Sequence, residues 1–201
     1  MQISIHNLGK RFENKFVFKG LSREIQSGER LGIVGRNGSG KSTLVQIISG
    51  YLPASEGTVK YNGELNESIW KKLAWVSPAL GLYESYTLKE HLEFVFSLRN
   101  PIASLNVEDM MEEMELAAHA GKQIRFFSSG MKQRVKLGIG FFSDSNLLLL
   151  DEPCAHLDRQ AEEWYAQLFL KYAGKRTVLI ASNANEAELL HAQSIWNLPT
   201  L

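Results

Sequence analysis

The sequence contains a single cysteine and carries no net charge over its 201 residues. One cysteine cannot build an internal disulfide framework, which excludes the disulfide-stapled class of small domains. The 22 lysines and arginines balance the 22 aspartates and glutamates, so no overall basic field draws the chain to nucleic acid. We therefore expect no nucleic-acid partner, and the 44% hydrophobic content predicts a globular domain with a sizeable core.

Long apolar runs are also missing. A helix needs about 20 apolar residues to cross a bilayer, whereas runs such as residues 147–150 are far shorter. The N-terminal residues alternate between polar and apolar types, which argues against a signal peptide. We expect a cytoplasmic chain without direct membrane insertion, which reaches a membrane only through a partner.

Short apolar segments alternate with helical patterns along most of the chain, which is typical of an α/β fold. The middle of the chain differs. No strand pattern occurs between residues 77 and 145, so an inserted segment made only of helices is predicted near residues 78–142. The whole chain, 1–201, is predicted to be one domain. Strands are predicted at residues 3–5, 15–19, 21–25, 31–34, 58–61, 73–76, 146–150, 177–181 and 194–198, and helices at 41–48, 87–98, 107–120, 135–142, 159–172 and 185–190.

A glycine-rich segment lies between a predicted strand and a predicted helix and reads GRNGSGKS, which fits the phosphate-loop pattern. Glycines let the backbone wrap a phosphate, while the amides and the helix N-terminus face the anion. We expect Lys41 to contact the β- and γ-phosphates of ATP and Ser42 to ligate Mg²⁺. The predicted nucleotide-binding residues here are Gly35, Arg36, Asn37, Gly38, Ser39, Gly40, Lys41, Ser42 and Thr43.

A second acidic site follows the apolar run at residues 147–150. Ligands bind at the C-terminal ends of the strands in α/β sheets, and this run ends in Asp151 and Glu152. Asp151 is the predicted second Mg²⁺ ligand. Glu152 is the predicted general base, which would polarise the attacking water.

Residues 128–134, SSGMKQR, resemble the signature motif of ABC ATPases, and residues 155–158, AHLD, resemble its D-loop. With the phosphate loop and the acidic pair, four motifs occur in the family's order. The sequence thus resembles the nucleotide-binding domain of ABC transporters, in its compact single-domain form, over nearly its whole length. The fold implied is α/β, a P-loop NTPase core with an N-terminal antiparallel β-sheet and an inserted α-helical subdomain.

The resemblance also implies roles and partners. Phe12 would stack on adenine, Asp158 would be the D-loop aspartate, and Ser129 with Gly130 would meet the γ-phosphate held by a second ABC ATPase. That second copy would pack head to tail, as a homodimer or a related pair. ATP hydrolysis would drive a transmembrane permease, with this chain peripheral on the inner face of the cell membrane. A simple helix cap would also explain Ser128–Gly130.

Several positions depart from the family's pattern. Met131 and Lys132 replace the usual glycine and glutamine of the signature, and Cys154 stands where threonine is common. Pro78 occupies the Q-loop position and has neither a carboxamide nor an N–H, so coupling to the permease would run differently. Asn183 occupies the position of the switch histidine and can donate a hydrogen bond but cannot relay a proton.

These departures leave three functions open. The first is a transport ATPase in which Glu152, Lys41 and Asn183 are catalytic. The second is a slow or non-hydrolysing nucleotide switch subunit, and the third is a soluble non-transport ABC ATPase. We expect the aromatic residues Phe94, Phe96, Phe126 and Phe127 to belong to the core of the helical insertion or, for some of them, to a groove that receives a short helix of the permease. Tyr83 is expected to line that groove.

Overall fold

Eight strands and six α-helices occur in the part of the chain that the computed structural model describes, residues 1–63, 69–102 and 105–199. The strands are β1 (Ile3–Phe12), β2 (Lys15–Ile25), β3 (Arg30–Val34), β4 (Glu56–Tyr61), β5 (Leu73–Val76), β6 (Leu147–Asp151), β7 (Thr177–Ser182) and β8 (Ser194–Asn197). The helices are α1 (Lys41–Ile48), α2 (Leu88–Leu98), α3 (Val107–Glu113), α4 (Ser129–Phe142), α5 (Arg159–Tyr172) and α6 (Glu186–Leu189).

The strands form two sheets. An antiparallel sheet has the order β2-β1-β4, and a parallel sheet has the order β5-β6-β7-β3-β8. Leu147 and Leu149 of β6 pack toward α1 and the antiparallel sheet, whereas Leu148 and Leu150 pack toward α4 and α5. All four are fully buried, which explains why this strand is apolar without alternation. The predicted α/β fold with an N-terminal antiparallel sheet is confirmed.

Three helices, α2, α3 and α4, lie between β5 and β6, and the described residues of this segment include no strand longer than an isolated bridge. Thr87 and Asn106 begin α2 and α3 with reciprocal capping boxes that involve Glu90 and Asp109. Each box satisfies amide groups that would otherwise lack a partner at the first turn.

The separate strands predicted at residues 15–19 and 21–25 are wrong, because β2 runs through both. The interruption is a local irregularity, where the pairing with β1 shifts between Leu21 opposite Leu8 and Phe18 opposite Lys10. Gly20 lies within this shift with a φ of 71°. Glycine adopts that conformation readily, so the strand bulges without ending.

The helix predicted over residues 107–120 is also too long, because α3 ends at Glu113 and a short 3₁₀ turn follows. Side chains from neighbouring helices donate hydrogen bonds to the carbonyls at its C-terminal end. Trp164 Nε1 donates to Glu113 O at 2.8 Å, and Arg134 donates to Met114 O at 3.3 Å. Glu115 then turns the chain with a φ of 57°. Tertiary contacts therefore end a helix that local composition would continue.

Two further predictions in this region need correction. The helix predicted to begin at residue 135 begins instead at Ser129, with the Ser128 hydroxyl accepting from Met131 N at 3.2 Å. Phe126, predicted to be core, is 62% exposed, while Phe94 is partly buried. The Arg125 guanidinium instead lies beside Phe126, with Arg125 Cζ 5.4 Å from the centre of the Phe126 ring.

Arg176 ties together the C-terminal ends of two helices. Its guanidinium donates to the backbone carbonyls of Gly140, Phe141, Ser143, Tyr172 and Ala173. Burial lowers the pKa of Arg176 to about 10, so it stays charged at neutral pH. These carbonyls lie in the last turn of α4 or α5 or in the residue that follows, where helical partners run out, which makes the arginine a shared cap for the two helices.

We expect Arg176→Ala to lower the free energy of unfolding by about 2 kcal/mol, because several carbonyls lose a charged donor at once. Urea denaturation followed by circular dichroism measures the change. The matched control is Lys175→Ala, since Lys175 is exposed at the neighbouring position. A loss in Arg176→Ala no larger than that of the control contradicts the capping role.

Candidate nucleotide-binding site

The loop between β3 and α1 wraps around the N-terminus of the helix. Gly40 immediately precedes α1 with a φ of 93°, and a Cβ added there would lie 2.6 Å from Val17 Cγ1. Only glycine meets both conditions. The amide of Ser39 donates to Arg36 O at 3.0 Å and closes the turn. The loop thus forms a concave backbone surface at the positive end of a helix, the geometry that binds phosphate.

The Lys41 side chain lies along the inner side of this loop. Its ammonium group donates to Gly35 O at 3.0 Å, Arg36 O at 3.2 Å and Asn183 Oδ1 at 2.6 Å. The side chain is buried, so its charge is held close to the loop rather than in solvent. An anion within the loop would meet this charge directly.

Ser42 and Asp151 meet across the edge of the parallel sheet. The Ser42 hydroxyl donates to Asp151 Oδ1 at 2.9 Å, and the Ser77 hydroxyl donates to Asp151 Oδ2 at 3.3 Å. Burial raises the pKa of the Asp151 carboxyl, and the neighbouring charge of Glu152 raises it further. The hydrogen bonds from the Ser42 and Ser77 hydroxyls lower the pKa but do not offset the effect of burial. A cation beside this carboxylate would relieve that cost.

Glu152 has an unusual backbone conformation for a residue with a side chain, with a φ of 47°. Its amide donates to Ala181 O at 2.9 Å, and its carboxylate accepts from Asn183 Nδ2 at 2.7 Å. Asn183 also accepts from Lys41, so one carboxamide bridges the lysine of the phosphate loop and the carboxylate after β6. A strained conformation of this kind occurs where the surrounding structure fixes it, often at active sites.

A cavity of about 360 Å³ opens beside the loop, and both Lys41 and Glu152 reach it. Its lining residues are Val17, Asn37, Gly38, Gly40, Lys41, Ser42, Thr43 and Glu152. Phe12 is not among them: it lies at the end of β1, half exposed, with Lys10 Nζ 5.0 Å from the centre of its ring.

The signature and D-loop residues lie outside this cavity. Ser129 and Gly130 form the first turn of α4, and a Cβ added at Gly130 would lie 3.2 Å from His156 O. The carboxylate of Asp158 accepts from Ala161 N at 2.9 Å and begins α5. The structure therefore brings the signature turn against the D-loop but does not bring either to the phosphate loop of the same chain.

The residues present fit a magnesium nucleotide. The Ser39 hydroxyl is buried in the loop and has no hydrogen-bond partner within the described residues, so a polar group is available there. The Ser42 hydroxyl and the Asp151 carboxylate provide oxygen ligands of the kind that Mg²⁺ prefers, and the Ser42 Oγ and Asp151 Oδ1 atoms already lie 2.9 Å apart. Lys41 supplies a buried positive charge for the phosphates.

Three polar residues of this region escaped the sequence-based prediction. Ser77 touches Asp151, and its position at the end of an apolar strand next to β6 was a usable signal. Gln133 and Glu188 are buried and bond to the loop that follows Glu152, at Pro153 O and Cys154 N respectively. Burial raises the pKa of the Glu188 carboxyl, with a smaller contribution from the charge of Glu152.

A phosphate loop at the C-terminal edge of a parallel sheet, with a serine–aspartate pair and a carboxylate beside it, defines a P-loop nucleotide-binding domain. The family model described as ABC transporter matches residues 18–155, more than half of the chain. The chain therefore belongs to the ABC transporter ATP-binding family, and the predicted family is confirmed. Nucleotide binding is the common property of these domains.

Similarity to individual proteins agrees with this assignment. The linearmycin resistance ATP-binding protein LnrL of Bacillus subtilis (strain 168) is 28% identical over 94% of this chain, and the taurine import ATP-binding protein TauB of Jannaschia sp. (strain CCS1) is 29% identical over 98%. The chain spans 63% of LnrL, 78% of TauB and 9% of the human phospholipid-transporting ATPase ABCA7.

Solved structures share the fold. An ATP-binding cassette solved as a dimer in a post-hydrolysis state, bound to ADP and phosphate, superposes with a TM-score of 0.83 at 22% identity, over 98% of this chain and 94% of that one. An ATP-binding subunit of an ABC transporter superposes with a TM-score of 0.86, also at 22% identity, over 98% of this chain and 86% of that one.

Among the described residues, no helix combines the length and apolarity that a bilayer crossing requires.

Proposed function

We propose that this chain binds and hydrolyses Mg-ATP as the energising subunit of an ABC transporter. The observation that carries the proposal is the convergence of Lys41, Ser42, Asp151 and Glu152 on one edge of the parallel sheet. LnrL and TauB are named as ATP-binding proteins for linearmycin resistance and taurine import, which supports the transport assignment.

The residues of the site divide the chemistry among them. Lys41 and the loop amides bind the phosphates and stabilise the negative charge that grows as the terminal phosphoryl group is transferred. Ser42 and Asp151 would hold Mg²⁺, which supplies charge neutralisation at the phosphate oxygens when bound. Glu152 accepts a hydrogen bond from the attacking water, orients it and takes up its proton. Asn183 Nδ2 keeps Glu152 aimed at the cavity.

A second copy completes the proposed site. Ser129 and Gly130 lie at a helix N-terminus, where amide groups and a hydroxyl can bind an anion. They do not line the cavity of their own chain, so their phosphate would belong to a partner domain packed head to tail. The dimeric form of the related cassette supports this arrangement.

A groove between the 3₁₀ turn before β5 and helix α2 is the proposed contact with a transmembrane permease. Its volume is about 480 Å³, and its wall includes the aromatic and aliphatic side chains of Trp70, Tyr83, Phe94 and Leu98. Such a groove suits the apolar face of a short helix. The chain would then sit on the inner face of the membrane without entering it.

We expect Leu98→Glu to abolish stable association with the permease, because Leu98 is 73% exposed in the groove wall and a charge there must be desolvated on docking. Co-purification with a multi-span membrane protein encoded by a neighbouring reading frame measures the loss. The matched control is Leu190→Glu, at an exposed leucine that follows α6. Equal recovery of both variants with the permease contradicts docking at this groove.

Phosphate release from the purified chain, alone and with its permease, tests the activity itself. Turnover supports the transport ATPase. Tight ATP binding without turnover in either setting supports a nucleotide switch, which the neutral carboxamide of Asn183 between Lys41 and Glu152 would favour. Absence of both binding and turnover rejects the proposed function.

A further inference from the structure

The peptide unit between Pro153 and Cys154 is held at both of its polar groups by buried side chains. The Pro153 carbonyl accepts from Gln133 Nε2 at 2.8 Å, and the Cys154 amide donates to Glu188 Oε1 at 3.1 Å. Gln133 belongs to α4 and Glu188 to α6. The C=O and N–H of a trans peptide point in opposite directions, so side chains from two separate helices hydrogen-bond to this unit from opposite sides.

This peptide unit begins at Pro153, the residue after Glu152, and the backbone of Glu152 is held in the left-handed region. A non-glycine residue in this conformation is strained and persists only when its surroundings fix it. On the N-terminal side, the Glu152 amide is bonded to Ala181 O. On the C-terminal side, the first backbone N–H available is that of Cys154, because proline has none.

The helix that carries Glu188 is also joined to the switch position. Ser182 Oγ, at the end of β7, accepts from Asn185 N at 3.1 Å, and Asn185 is the residue that begins α6. Ser182 is followed by Asn183, whose carboxamide holds the Glu152 side chain. Helix α6 therefore connects to the loop that follows Glu152, through Glu188, and to the strand end that carries Asn183.

We infer that Gln133 and Glu188 form a clamp on the Pro153–Cys154 peptide that positions Glu152 to activate the water that attacks the terminal phosphate. The inference rests on the proposed hydrolytic function for its catalytic part. Neither residue lines the cavity, so both act through Glu152 rather than on the nucleotide. Because α4 begins with the signature turn, the clamp also links that turn to the general base within one chain.

The single cysteine gives a direct readout of the clamp that does not depend on turnover. Cys154 is buried beside the gripped peptide, and burial with nearby carboxylates raises the pKa of its thiol, so the intact clamp keeps it unreactive toward Ellman's reagent. We expect Gln133→Leu to raise the labelling rate about tenfold through local opening. Glu188→Ala should raise it by at least that factor, because the loss of the Glu188 charge also lowers the pKa of the thiol. Glu186→Ala and Gln167→Leu, at exposed positions, should leave it unchanged.

Kinetics separate positioning from general destabilisation. We expect both clamp variants to lower kcat about tenfold while KM for ATP changes by less than about twofold, because the phosphate loop is untouched. The double variant should lose little more than either single one, since both residues grip the same peptide. Glu188→Gln keeps the acceptor for Cys154 N–H and should restore most of kcat.

The outcomes are distinct. Labelling at the control rate in both clamp variants overturns the inference, as does faster labelling with unchanged kcat, or parallel loss of kcat and of ATP affinity. If Glu188→Ala does not fold, Gln133→Leu and Glu188→Gln decide the question by the same two measurements. A wild-type chain without turnover, both alone and with its permease, removes the hydrolytic part of the proposed function, whereas labelling still decides whether the clamp exists.

Discussion

Glu152→Gln is expected to lower the rate of ATP hydrolysis about 100- to 10,000-fold, the range that removal of a positioned general base produces. The glutamine keeps the size of the side chain and an acceptor oxygen for Asn183 Nδ2, so the local structure should persist. It cannot take up a proton from water at neutral pH. Phosphate release under saturating Mg-ATP measures the effect.

The control for this variant is Glu186→Gln, at an exposed carboxylate in the first turn of α6. ATP affinity, measured by equilibrium titration, should be unchanged in both variants, since among the described residues Glu152 is joined to the phosphate loop by hydrogen bonds only through Asn183. Turnover of Glu152→Gln within about threefold of the wild type would remove Glu152 from the role of general base.

Lys41→Ala is expected to weaken ATP binding about 100-fold, which corresponds to about 2.7 kcal/mol. The variant removes the buried ammonium group of the loop and leaves the phosphates with the backbone amides, the hydroxyl groups of the loop and Mg²⁺. Hydrolysis should fall with binding. Titration with a nonhydrolysable ATP analogue and Mg²⁺ measures the affinity without interference from turnover.

Lys72→Ala serves as the control, because Lys72 is exposed in the 3₁₀ turn before β5 and remote in sequence from the loop. Circular dichroism should show the same helix content for both variants. An affinity of Lys41→Ala equal to that of the control would mean that the nucleotide does not enter the loop at residues 35–42, and the proposed site would have to be abandoned.

The parts of the fold that sequence predicts well depend on short-range chemistry. The phosphate loop is readable because glycines fix the backbone within eight residues, and residues 147–150 are readable because a strand buried on both faces must be apolar throughout. The acidic residues after this strand follow from the same argument. For these elements, local sequence and tertiary structure agree.

The features that sequence did not predict depend on contacts between distant residues. The C-terminus of α3 is set by Trp164 and Arg134, which no local pattern near residue 113 reveals. Gln133 and Glu188 lie 20 and 34 residues from the peptide atoms that they hold. Their importance becomes visible only when α4 and α6 are packed on either side of the loop.

The network around Lys41 has a further consequence for how a nucleotide enters. An ammonium group has three N–H donors, and Gly35 O, Arg36 O and Asn183 Oδ1 occupy all of them. Docking of a phosphate is therefore an exchange of partners, and the measured affinity is the difference between two complete sets of bonds. In the proposed hydrolytic cycle, the departure of inorganic phosphate would return the lysine to these three oxygens, which stabilises the empty site relative to the occupied one.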